Sequence, residues 1–180
     1  MNTVTPGRLS ERHLTLFGAI VHCYARYELL MQRIMAQAIG ADGSAVILLT
    51  RTMTFVEKRQ ALLALLRHRS VPLDQIDAIR DSLKLPSRMR VLCDDIRHSD
   101  WTAGVSKDSI QPAWIFNVSK TIKPLHRTAD TSADDFFEDD DDRAEYTLDE
   151  LALIAQRLTE NYAAFDDFLR EVQLIDGGAR

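Results

Sequence analysis

The stretch from Ser10 to Gly40 constrains this chain most, because apolar residues recur there at helical spacing on two sides at once. One seam runs Leu14, Phe17, Val21, Tyr24, Glu28, Met31, Met35, Ala38 in alternating steps of three and four. A second line holds Leu16, Ile20, Tyr27, Leu30 and Ile34. Ser10 suits a helix start and Gly40 a helix end, so the spacing predicts one long helix to about Ile39. A helix apolar on two sides has to be covered on both, inside a bundle or across a dimer. Glu28 is the single acid on the seam. Such a residue either reaches a local Arg or the solvent rim, or it orients a site residue.

Ala41 to Ser44 is a turn, followed by the short apolar run Ala45 to Leu49. Thr54-Phe55-Val56-Glu57 is a capping box, which predicts a helix with Phe55, Leu62, Leu63, Leu65 and Leu66 inward. Lys58, Arg59, Arg67 and Arg69 are then its basic surface. Val71-Pro72 breaks the pattern, and Leu73, Ile76, Ile79 and Leu83 mark another amphipathic helix. Pro86 kinks that helix or starts a new one. Between Ser99 and Asp130 the helical period disappears, and Trp114 to Val118 is a short β-like run, half of a small hairpin. Asp134 to Asp142 holds seven acids around Phe136-Phe137 and reads as a loop. A second capping box, Thr147 to Glu150, opens a last long helix whose core side is Leu148, Leu151, Ile154, Leu158, Tyr162, Phe165, Phe168 or Leu169, and Val172, with Gly177-Gly178 just beyond.

The formal net charge of −5 hides an asymmetry. Residues 1–129 carry 18 Lys and Arg against 11 Asp and Glu, whereas residues 130–180 carry 4 against 16. A basic body with an acidic C-terminal third suits an anionic ligand, and also suits self-neutralisation. Two lone cysteines, Cys23 and Cys93, make neither a CxxC nor a disulfide framework, so a reducing cytoplasm is expected. No apolar run is long enough to span a bilayer, and the N-terminus lacks the apolar centre of a signal peptide. There is no P-loop, GxGxxG or HExxH, so no metal or cofactor is expected.

Chemistry concentrates between Arg88 and Trp101. Met89, Leu92, Cys93 and Ile96 form one apolar stripe, while Arg90, Asp94, Arg97 and Trp101 fall close to one line on another side. His98 sits at the edge of that line. Two cations, a carboxylate and an imidazole thus share one short helix. Read blandly, this is a solvated face whose charges pair with each other. Read sharply, it is a site for a phosphate-bearing ligand, with Arg supplying forked donors and His a proton near neutral pH. Trp101 and Trp114 are lids over apolar structure or, alternatively, platforms for bases.

In order, Tyr24 with Glu28, Phe55-Val56-Glu57-Lys58 before Leu62-Leu63, the stretch Cys93 to Trp101, and Tyr146 to Glu150 form a sequence of features that resembles the HEPN superfamily, all-α bundles named for nucleotide-binding domains of higher eukaryotes and prokaryotes. The resemblance is a loose pattern over about residues 10–172. Its chemical motif is an Arg, usually followed by a polar residue, with a His five positions after the Arg. His98 matches the His, Asp94 the polar residue, and Cys93 stands where the Arg would be. In the family, motifs from two protomers are understood to form a composite, metal-independent ribonuclease site. There the Arg stabilises phosphorane charge, and the His moves the proton as the ribose 2′-hydroxyl attacks. A thiol supplies no positive charge, so Arg97 or Arg90 would have to stand in.

The expected fold is all-α: an up-and-down bundle of four or five helices in a single domain over 10–175, with an irregular insertion at about 100–146. The resemblance implies a protein of toxin or defence type. It either cleaves RNA with His98, Arg97 and Arg90, or is a degenerate relative that binds RNA, a nucleotide or a protein such as an antitoxin. Asp94, Trp101 and Glu28 are the expected ligand-side residues, no cofactor or membrane is expected, and a homodimer is.

Overall fold

The computed structural model describes residues 9–104, 109–114 and 145–174. Among these residues are seven helices and one small three-stranded sheet, so the protein is mostly α-helical. Helix α1 spans Glu11–Ile39. The Ser10 hydroxyl accepts the His13 backbone N–H at 3.3 Å, and the Ser10 N–H donates to His13 Nδ1 at 3.2 Å. This is a capping box with an imidazole in place of the usual carboxylate. At the other end Gly40 has φ +65°, with Ala41 N–H on the Ala36 carbonyl and Gly40 N–H on that of Gln37. The left-handed residue lets the chain turn back and satisfy two carbonyls that the helix leaves over.

Helix α2 is Gly43–Thr50, capped by the Asp42 carboxylate, which accepts from Ser44 and Ala45 N–H. Helix α3 is Phe55–His68, and both halves of the Thr54–Glu57 capping box are present. The bond from the Thr54 N–H holds the Glu57 carboxyl below its ordinary range. Helices α4 (Leu73–Ser82), α5 (Lys84–Arg88) and α6 (Arg90–His98) follow, the short α5 containing Pro86. Strands β1 (Asp100–Ala103), β2 (Ser109–Trp114) and β3 (Tyr146–Thr147) pair antiparallel in that order. Helix α7, Leu148–Glu171, starts at the predicted capping box, with Thr147 N–H on the Glu150 carboxylate at 2.8 Å.

The chain divides into two compact units. The helical unit takes α1 from Ala19, α2 to α5, Arg90, and α7 from Ile154. Its centre is Tyr27, fully buried, with its ring edge-on to Tyr162 at 5.2 Å and stacked on Phe165 at 6.3 Å. The Tyr27 hydroxyl donates to the Leu158 carbonyl and accepts from Asn161 Nδ2 at 2.6 Å. Asn161 also donates to the Ser82 carbonyl at 2.8 Å, capping the end of α4. Burial pushes the Tyr27 hydroxyl and the Cys23 thiol up, so both stay neutral. The other unit holds α1 up to Gly18, α6 from Val91, the sheet, and α7 up to Leu153. In its sheet Trp101 faces Pro112 beside a bulge, where a strand proline needs no ladder partner.

Several expectations are corrected. Lys58 is not surface but buried, 6% exposed. Leu14 and Leu73, expected on apolar faces, are exposed. The β structure begins before Trp114 rather than at it. Residues 115–118, His126, the acidic tract 134–142 and Gly177-Gly178 lie outside the described residues.

Two helix ends escape sequence reading because the residue at the turn is not glycine. Ser70 (φ 57°) and Gln173 (φ 58°) end α3 and α7 with the bonding pattern seen at Gly40. A side chain in this region is strained, and glycine removes the strain at some entropic cost to folding. Ser70→Gly is therefore expected to stabilise the protein by about 0.5–1 kcal/mol in urea unfolding. A loss of stability would mean that Ser70 is not left-handed.

Candidate functional site

The cluster sits on α6 and the chain that leaves it. Leu92 and Cys93 face inward, Cys93 with no exposed surface, while Arg97 and His98 at the C-terminal end of α6 are exposed. The Asp95 carbonyl accepts two bonds, from Ser99 N–H at 2.9 Å and from Trp101 Nε1 at 3.2 Å. A carbonyl can accept twice, so this one atom both ends α6 and anchors the first residues of β1. Trp101 is half-buried, with its ring 4.7 Å from Phe17 and 6.2 Å from Tyr146. Its packing is that of an anchored aromatic residue covering apolar neighbours.

Arg97 is held from two directions. Its Nε donates to the Cys93 carbonyl at 3.1 Å and a terminal nitrogen to Asp94 Oδ1 at 2.5 Å. The two side chains are 41% and 34% exposed, and ion pairs that wet contribute only about 0–1 kcal/mol. That weakness matters chemically. Phosphate oxygens can compete for such a guanidinium, whereas they could not displace a buried carboxylate. His98, the last residue of α6, is exposed one position further on.

The expected site residues therefore divide. Asp94, Arg97, His98 and Trp101 belong to one unit, within eight residues of chain. Arg90, half-buried at the start of α6, and Glu28 belong to the helical unit. Glu28 accepts a hydrogen bond from Lys58 Nζ at 2.8 Å, so its partner is a lysine 30 positions along the chain and not a local Arg.

Sequence reading missed a second polar group in the sheet unit. The buried Ser109 hydroxyl donates to the Glu145 carboxylate, and Gly104 lies against both. A Cβ at position 104 would collide with these two side chains, so a larger residue there would have to displace the pair. Nothing local in the sequence signals this pairing, since 36 positions separate its members. The helical unit also has an open cleft of about 320 Å³, lined by Ile34, Leu66, Val71 and Leu174 with Arg69 and Gln173, and none of the candidate residues lines it. Among the described residues no group of His, Cys, Asp or Glu is arranged to hold a metal ion, and no helix is long and apolar enough to cross a membrane. The chain matches no protein-family model, no curated protein and no solved structure.

Proposed function

We propose that this chain is a HEPN-like helical protein of toxin or defence type, working in a reducing cytoplasm. It engages RNA through the end of α6, with the family's cleavage motif degenerate. The observation that carries this reading is an exposed His98 one position after Arg97, whose ion pair with Asp94 is open to water. Arg97 supplies forked donors to a phosphate and His98 a further donor, while Trp101 keeps the chain after α6 in place. The basic character of residues 1–129 supplies long-range attraction for a polyanion. The inward-facing Cys93 supports the degenerate reading, because the position of the motif's Arg points away from any ligand that His98 meets. A second copy or an antitoxin is the expected protein partner.

The test is RNA binding and metal-free cleavage by the wild type, His98→Ala and Arg97→Ala at low and moderate salt. Loss of either side chain is expected to weaken RNA binding about tenfold, with a shallower salt dependence for Arg97→Ala. Metal-free cleavage that falls about 10²–10⁴-fold in His98→Ala would instead make the protein an active ribonuclease. No RNA binding at low salt would remove the nucleic-acid reading and leave a protein-interaction module.

A further inference from the structure

Helix α2 presents an apolar face that the helical unit does not use. Val46 and Thr50, one turn apart, face inward, and Thr50 accepts a hydrogen bond from Gln32 of α1 at 2.9 Å. On the other side Ile47, Leu48 and Leu49 are exposed, Leu48 by 71% and Leu49 by 74%. Leu29, one turn before Gln32 on α1, is exposed as well. Consecutive large aliphatic side chains left in water on a well-formed helix mark an interaction surface.

We infer that this face of α2 is a self-association surface, where it packs antiparallel against α2 of a second copy. The argument for a second copy is charge. Asp42 stands at the N-terminal end of α2 and Arg51 at its C-terminal end, both exposed, nine positions or roughly 14 Å apart along a helix axis. An antiparallel pairing about a twofold axis sets Asp42 of each copy beside Arg51 of the other, and each helix's partly positive end beside its mate's negative one. The apolar middle then meets itself, so the exposed leucines are covered twice over by one contact. A parallel arrangement would put like charges together. A lipid surface, which is usually anionic, would repel Asp42 and gain from Arg51 alone. The inference stands on α2 and does not depend on what the α6 cluster binds.

Sedimentation of the full chain over a wide concentration range tests it. The wild type is expected to dimerise, and Leu48→Asp/Leu49→Asp to weaken the dimer at least about 100-fold with an unchanged helical circular dichroism spectrum. Arg51→Glu and Asp42→Lys, each like-charged against its own copy, are each expected to weaken self-association about tenfold, while an equimolar mixture of the two forms a heterodimer. A wild type that stays monomeric at several hundred micromolar would overturn the proposal. So would a dimer unaffected by the leucine substitutions, or a mixture no tighter than either variant alone. Binding of the monomer to phosphatidylglycerol vesicles, lost in Leu48→Asp/Leu49→Asp, would overturn it in favour of a lipid surface.

Discussion

Cys93→Arg is expected to unfold the region around α6 rather than to rebuild a cleavage motif. The resemblance puts an Arg at this position, but the structure gives Cys93 no exposed surface, beside the buried Leu92. Arginine keeps its charge in proteins, so the substitution forces an ion out of water with a side chain far larger than the space left by a thiol. An unpaired buried charge together with overpacking puts the change among the rare severe ones, at about 4 kcal/mol or more. Cys93→Ala, which only trims a small side chain, should lose about 1 kcal/mol. Urea unfolding followed by tryptophan fluorescence reads both, because Trp101 packs in the same unit against Phe17 and Tyr146. A Cys93→Arg protein as stable as the wild type would mean that position 93 faces solvent. In that case the search for a cation at the site would begin there instead of at Arg97.

This burial was legible in the sequence, because the stripe Met89, Leu92, Cys93, Ile96 follows the helical period. The Asp94–Arg97 pair was legible for the same reason, as a contact three residues apart on one helix. Helix starts at Ser10, Thr54 and Thr147 were readable since each cap is a bond between residues three apart. What the sequence concealed depends on chain positions far from each other. The two-residue strand β3 exists because Ile110 lies beside Tyr146, and no local pattern of two residues announces a strand. The apolar run in α2 is too short for its period to show which side faces water. Lys58 has the local setting of a surface lysine, and only the partner 30 positions earlier in the chain explains its burial.

That partner makes Glu28 the second site where a large effect is expected. Lys58 Nζ and Glu28 Oε1 are 2.8 Å apart, with side chains 8% and 26% exposed, so the ammonium is the more deeply enclosed member. Removing the carboxylate leaves a buried cation without its counter-charge, whereas removing the lysine leaves a carboxylate that still reaches water. Glu28→Ala is therefore expected to cost about 3 kcal/mol, the lower end for breaking a buried pair, and to lower the melting temperature by roughly 6–12 °C. Lys58→Met should cost less, because its aliphatic replacement fills the same space and Glu28 keeps part of its hydration. The double variant Glu28→Leu/Lys58→Met removes both charges and is expected to be within about 1 kcal/mol of the wild type. The strong non-additivity of this cycle is the signature of a buried pair. If the two single losses simply added, and each stayed below about 1 kcal/mol, the pair would be behaving as a surface contact. Glu28 would then be available to orient a site residue, the role that its place on the seam of α1 first left open.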